Sequence, residues 1–221
     1  MTRDEEYTKY VDRPVIILPT LYYLQSFGSE NYTFDKAYTH GLFRMPQPAN
    51  LDKHETEQAL LDYKESSNIT STEETEVISN FEFILKELRS RKTIIQGPFE
   101  CGFQLRIRGD GTNTTYLTKL RFSLYKRTEA GVDTAIIEDA EYAFDTPVSH
   151  QANDWDDKVG VKLHEDISLT VLPADERLVG SVDVLGYVSD AAASNNKIRL
   201  YFSRGSIAES YIYLPIEDEG Y

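Results

Sequence analysis

The amino-acid sequence predicts a mainly β protein whose C-terminal part, residues 93–221, folds as an antiparallel β-sandwich of jelly-roll-like or immunoglobulin-like form. The prediction depends first on strict alternation near the C-terminus, because a period of two marks a sheet with one buried face. Roughly eight such segments follow one another after residue 93, separated by turn signals. The alternating apolar positions of the last two predicted strands are Ile198, Leu200, Phe202, Ile212, Leu214 and Ile216.

The opposite faces of these C-terminal strands carry Tyr187, Tyr201, Tyr211 and Tyr213. Tyrosine combines apolar area with a polar tip, and it is enriched at protein interfaces. We therefore expect these four side chains to form an outer surface that receives a partner.

Residues 1–50 are predicted to be an extended aromatic N-terminal arm. Prolines at positions 14, 19, 46 and 48 exclude a long helix, and disordered segments are poor in aromatic residues. The arm is expected to pack on its own sandwich or on a neighbouring subunit. Its predicted interface residues are Tyr22, Tyr23, Phe27, Tyr32 and Phe34.

A helical segment is predicted over residues 51–92. Asp52 to Glu65 has a capping-box spacing and a weak apolar face. Ser71 to Arg91 is the stronger helix, because its apolar residues recur at i, i+3, i+4 and i+7 and its charges suit the helix dipole. Those apolar residues are Val77, Ile78, Phe81, Ile84, Leu85 and Leu88.

In the sandwich, Gly109 to Asn113 contains Asp-Gly and predicts a hairpin turn. The two strands of that hairpin would carry Arg106, Arg108 and Arg121 on one basic face, which is a further predicted interface. The stretch from Glu129 to Asn196 is strongly acidic, so the subunit is expected to be dipolar and able to associate head to tail.

Composition excludes several classes of function. The formal net charge of -14 disfavours binding to nucleic acid. The single cysteine cannot form an internal disulfide, and no apolar run is long enough to insert into a membrane. The N-terminal residues lack a signal-peptide pattern, so a soluble, cytoplasmic protein is expected unless the chain belongs to a virion.

No catalytic motif is present, so we expect a protein that is not an enzyme and needs no cofactor. The most chemical stretch runs from His150 to Asp157. Asp154, Asp156 and Asp157 are weak candidates for calcium ligands, and Trp155 is suited to stacking on a sugar ring. The alternative is a solvated loop whose tryptophan closes one end of the core.

The organisation of aromatic arm, short linking segment and acidic β-sandwich resembles virion proteins of tailed viruses, in which a sandwich with an N-terminal arm sits on a capsid, vertex or tail. The resemblance implies a non-enzymatic structural protein that forms homo-oligomers or docks on other structural proteins of the same assembly. The alternative from a different class is a carbohydrate- or calcium-binding β-sandwich module.

Overall fold

A computed structural model describes residues 20–27, 31–43, 63–85, 93–157, 159–202 and 210–217. Within these ranges the chain forms β-strands and turns and contains no helix. The strands are β1 (Thr20–Ser26), β2 (Tyr32–Thr33), β3 (Ala37–Tyr38), β4 (His40–Phe43), β5 (Tyr63–Glu65), β6 (Thr75–Leu85), β7 (Thr93–Arg108), β8 (Thr115–Arg127), β9 (Asp133–His150), β10 (Val159–Leu172), β11 (Arg177–Val188), β12 (Lys197–Tyr201), β13 (Tyr211–Leu214) and β14 (Ile216–Glu217).

The strands form two layers. In the front sheet, β7 pairs along one edge with β10 and along the other with β12, β13 and β14, and β5 extends the sheet beyond β12. The back sheet has the order β6-β11-β8-β9. β1 and β4 join the two layers through β13 and β6, and the β4–β6 pairing is parallel. The sandwich is therefore mixed rather than wholly antiparallel.

The hydrophobic core lies between the layers. Phe99 and Phe103 of β7 contact Phe122 of β8, with ring centroids 5.3 Å and 6.0 Å apart, although β7 and β8 share no ladder. The alternating residues that predicted the last strands, including Ile198 and Ile212, are fully buried here. The mainly β sandwich predicted from the sequence is confirmed.

The helix predicted from Ser71 to Arg91 is wrong over the described residues, because Thr75–Leu85 is a strand at the edge of the back sheet, and residues 86–91 lie outside the described residues. A β-bulge explains the misleading period. Two residues of β6, Ser79 and Asn80, lie opposite the single residue Asp183 of β11, and Asn80 has a φ of 47°. The bulge brings Ile78 and Phe81 to the same buried face at a spacing of three, which imitates a helix.

The helix predicted from Asp52 to Glu65 is also wrong in the part that the structure describes. Tyr63–Glu65 is strand β5, paired with β12, and residues 52–62 lie outside the described residues. β5 is an edge strand of three residues, which is too short for a period of two to appear in the sequence.

Residues 20–27 and 31–43, the part of the leader that the structure describes, pack on the sandwich of their own chain. β1 pairs with β13, so that Tyr22 lies opposite Ile212, and the Tyr22 side chain is 1% exposed. Of the two expectations for the arm, the described part packs on its own subunit. Tyr22 is therefore inside its own chain's core and is not an interface residue in this conformation.

The segment Gly109 to Asn113 is not a hairpin turn, because it carries the chain from the front sheet to the back sheet. Asp110 holds this arch by accepting hydrogen bonds from the backbone N–H groups of Thr112 and Asn113 and from that of Ser194. A side chain at Gly109 would overlap the backbone of Gln151, so only glycine fits there. The Asp-Gly signal marked a sharp turn, but it did not reveal which strands the turn joins.

A short hairpin, residues 31–38, lies on the outer surface of the back sheet, and we call it the leader flap. Tyr38 of the flap packs on Ile84 and Val179, with Phe27, Tyr32 and Phe34 at the margins. The flap is anchored by Arg127, whose side chain is 6% exposed and contacts Glu82, Asp133 and Asp35. Arg127 also donates a 2.7 Å hydrogen bond to the Tyr38 hydroxyl.

The predicted basic face across β7 and β8 is not formed. Arg106 and Arg108 lie on the front sheet, whereas Arg121 and Lys119 lie on the back sheet beside Glu74, Glu76 and Glu141. The two strands face different sides of the molecule because they belong to different layers.

Among the described residues, no helix is long and apolar enough to cross a membrane.

Candidate binding face

The outer face of the front sheet carries a row of tyrosines that the register of β7 aligns. Tyr201 lies opposite Gln104, Tyr211 opposite Gly102 and Tyr213 opposite Glu100. Their strand neighbours are buried in the core, so alternation turns all three tyrosines outward, where they remain half-buried. Their partner positions on β7 are two residues apart, or about 7 Å along the strand.

Next to this row, the Arg199 guanidinium lies between two aromatic rings. Its central carbon is 3.8 Å from the Trp155 ring centroid and 3.9 Å from that of Tyr63. Tyr63 also contacts Tyr201, with centroids 5.7 Å apart. We call the surface made by these residues the front strip: Tyr63, Trp155, Arg199, Tyr201, Tyr211 and Tyr213.

Glu65 fixes Arg199 within this stack. It accepts 2.6 Å hydrogen bonds from Arg199 Nε and Lys197 Nζ. Burial opposes ionisation of Glu65, but the hydrogen bonds from the two bases outweigh burial and hold its pKa below the ordinary value. The carboxylate therefore stays charged at neutral pH and keeps both bases in place.

Trp155 is positioned by contacts between the backbone of its loop and residues of β7. Arg106 donates to the Trp155 carbonyl oxygen at 3.1 Å and also to that of Asp156, and the Asp156 N–H donates to Ile107. Trp155 forms an isolated β-bridge with Arg108, so the loop continues the line of β10 along β7. The tryptophan thus stands on the front face instead of closing the end of the core.

At the other end of the strip, Tyr211 lies over Gly102. A Cβ at position 102 would overlap the Tyr211 ring, so the glycine lets the ring sit against the sheet. The Tyr211 hydroxyl donates a 2.6 Å hydrogen bond to Glu100, and burial together with this bond raises the pKa of Tyr211. Tyr213 meets Tyr211 edge to face at 5.4 Å.

The predicted interface residues are divided by the structure. Tyr201, Tyr211 and Tyr213 lie on the front strip, and Tyr23 lies opposite Tyr211 on the neighbouring strand. Tyr187 is on the back sheet, stacked on Tyr116 at 4.5 Å. The remaining residues of the set fall in three places: Phe27, Tyr32 and Phe34 at the leader flap, Arg106 and Arg108 on the front sheet, and Arg121 on the back sheet.

Asp154, Asp156 and Asp157 do not converge on a metal site. Asp154 accepts a 2.8 Å hydrogen bond from His150 Nε2, and one Asp156 oxygen accepts from the Asp157 N–H. In the part of the chain that the structure describes, no group of three or more His, Cys, Asp or Glu residues could hold a metal ion. The suggestion of calcium therefore has no geometric support.

Sequence reasoning missed Tyr63, Glu65, Arg199 and Glu100 as members of this face. Arg199 could have been found, because it lies two residues before Tyr201 and so shares the outward face of a well-predicted strand. Tyr63 and Glu65 had been assigned to a helix, and nothing in the local sequence places their strand beside β12.

No protein-family profile and no curated protein sequence matches this chain. Among solved structures it is similar to an alpha-amino acid ester hydrolase, with 13% identity and a TM-score of 0.45 over 90% of this chain and 36% of that one. It is also similar to the CBM22-1 xylan-binding domain of Paenibacillus barcinonensis Xyn10C, with 11% identity and a TM-score of 0.31 over 86% and 92% of the two chains.

A third similarity is to a structure of infectious bursal disease virus Gx strain, with 10% identity and a TM-score of 0.23 over 94% of this chain and 59% of that one. The chain spans about a third (36%) of the hydrolase chains it matches, including a CocE/NonD family hydrolase from Staphylococcus aureus. Similarities with scores this low do not bear on function.

Proposed function

We propose that this chain is a non-catalytic, jelly-roll-like binding module that holds carbohydrate on the front strip. The observation that supports the proposal is the row of half-buried aromatic rings on an open sheet face, with Arg199 stacked between Trp155 and Tyr63. Sugar rings have apolar C–H faces that stack on aromatic side chains, and their hydroxyl edges need polar partners. The polar partners beside the rings are Glu100, Gln104 and Lys162.

The test is affinity electrophoresis through gels that contain xylan, a soluble cellulose derivative, a β-1,3-glucan or starch, followed by calorimetry on the best ligand. We expect Trp155→Ala and Tyr211→Ala each to weaken binding by about tenfold or more. Tyr187→Ala is the matched control, because it removes a stacked, half-buried tyrosine from the back sheet.

The proposal fails if no polysaccharide retards the protein. It also fails if Tyr187→Ala weakens binding as much as the two front-strip variants, since the loss would then reflect damage to the fold. Circular dichroism of each variant separates a lost contact from a lost structure.

A second candidate is the structural role in an assembly, such as a virion component that self-associates through the front sheet. It is favoured by the unequal charge of the two outer faces. Exposed Glu74, Glu76, Glu138, Glu141 and Asp145 lie on back-sheet strands or beside them, whereas Arg106, Arg108, Lys162, Lys197 and Arg199 lie around the front strip. Tyrosine, tryptophan and arginine are also the residues that dominate protein interfaces.

In this second role, the front strip of one copy would meet the acidic back face of the next. Light scattering at low and high salt tests it. An oligomer that dissociates at high salt and is lost in Tyr211→Ala supports assembly, whereas a monomer at every concentration and salt level contradicts it.

A further inference from the structure

The length and the charge of the front strip define the kind of carbohydrate that would fit it. This inference rests on the proposed function, and it concerns the ligand's size and charge.

The strip is longer than a single sugar. Arg199 lies opposite Arg106, and Tyr213 lies opposite Glu100, six residues further along β7. At about 3.4 Å per residue the row therefore extends roughly 20 Å. A monosaccharide would contact one ring group, so engagement of both ends requires a chain of several sugars.

The two ends of the strip are built differently. At one end, Trp155 and Tyr63 flank Arg199, whose Nε is hydrogen-bonded to Glu65. At the other end, the Tyr211 ring rests on Gly102 with its hydroxyl directed to Glu100. Tyr201, opposite Gln104, lies between the two ends on the outward face of the sheet.

The bases around the strip are already engaged by protein groups. Arg199 and Lys197 bind Glu65, Arg106 donates to backbone carbonyls, and Arg108 donates to Asn153 at 2.7 Å. Lys162 and His164 both approach Glu100, at 3.8 Å and 3.4 Å. An anionic ligand would have to displace these partners and would also meet the repulsion of a chain of net charge -14.

We infer that the front strip binds an extended, uncharged polysaccharide that runs parallel to β7 and contacts both ends of the strip at once. The end that contains Trp155 and Tyr63 supplies stacking and the fixed Arg199 guanidinium, and the other end supplies the Tyr211 ring and the Glu100 carboxylate. Affinity then depends on chain length and hardly on salt.

Calorimetry with β-1,4-linked glucose and xylose oligosaccharides, from disaccharide to hexasaccharide, tests the inference at low and high salt. We expect affinity to rise by at least about tenfold between the disaccharide and the hexasaccharide, with little effect of salt. Polygalacturonate serves as the anionic probe and is expected to bind more weakly than the neutral polymers.

Single variants sharpen the test. Trp155→Ala and Tyr211→Ala should each remove most of the gain with length, because each leaves one end of the strip without its ring. Equal affinity for disaccharide and hexasaccharide at the strip would overturn the inference and leave the proposed function standing. Salt-sensitive binding of polygalacturonate alone would also overturn it, while absence of binding to every probe would overturn both.

Discussion

Tyr38 of the leader flap is 2% exposed where it packs on the back sheet, whereas Tyr211 and Tyr213 on the front sheet remain half-exposed. The two faces also use arginine differently. Arg127 is buried among carboxylates that tie the flap down, while Arg199 is held between two rings at the surface. The chain covers the apolar residues Ile84 and Val179 of the back sheet with aromatic residues of its own leader and leaves the tyrosines of the front strip accessible, which is why a ligand is proposed for the front sheet.

Arg127→Met removes the cation that anchors the leader flap, and it should have the largest effect on stability. It leaves Glu82, Asp133 and Asp35 close together without their shared cation, and loss of one partner from a buried ion pair costs about 3–5 kcal/mol. Urea denaturation followed by circular dichroism measures the change. A loss below 1 kcal/mol would mean that the flap contributes little to the fold.

Glu65→Gln should lower the free energy of unfolding by a smaller amount, about 1–2 kcal/mol, because Arg199 and Lys197 on the front sheet lose a charged acceptor. The pKa of Glu65 is lowered in the folded protein, so its stabilisation is complete above the ordinary value of 4.5 and is lost as the pH falls through the folded-state pKa. The thermal midpoint of the wild type should fall more steeply in that range than that of Glu65→Gln. Glu73→Gln, which alters an exposed carboxyl, is the control and should follow the wild type.

Gly102→Ala tests the Tyr211 end of the strip. The new methyl group would push the Tyr211 ring off the sheet and break its hydrogen bond to Glu100, at a cost of about 1 kcal/mol. Ligand binding should fall more than stability does, since the ring can swing into solvent without disturbing the core. Comparable binding by Gly102→Ala and the wild type would show that the position of Tyr211 on the sheet is unimportant.

Arg121→Gln should have the smallest effect. Its contacts with Glu76 and Glu141 are 3.5 Å and 3.4 Å long and lie at the surface, where ion pairs contribute about 0–1 kcal/mol. Urea denaturation should place this variant within about 0.5 kcal/mol of the wild type. A loss of stability as large as that of Arg127→Met would show that the back sheet is stabilised by its surface ion pairs rather than by the leader flap.

The sandwich was predictable wherever a strand had one face in the core, as Ile198, Leu200 and Ile212 illustrate, because burial imposes a period of two. The prediction failed at β6, where a bulge changed the period, and at the β7–β8 connection, where turn chemistry does not encode which strands pair. For the binding face, Trp155 and the tyrosines were identified in sequence, but their partners Tyr63 and Glu65 come from an edge strand placed by tertiary contacts alone.

The pairing of Tyr22 with Ile212 joins positions about 190 residues apart, and long sequence separation of contacts slows folding. β1 can pair with β4 soon after both have been synthesised, but its partner β13 does not exist until the segment around residue 212 has been made. Until then Tyr22 and Leu24 lack their neighbours on β13, and the edge of β1 that faces away from β4 stays unpaired. The pairing of β1 with β13, which joins the two layers, is therefore expected to form last, and refolding kinetics should show it as the slowest step.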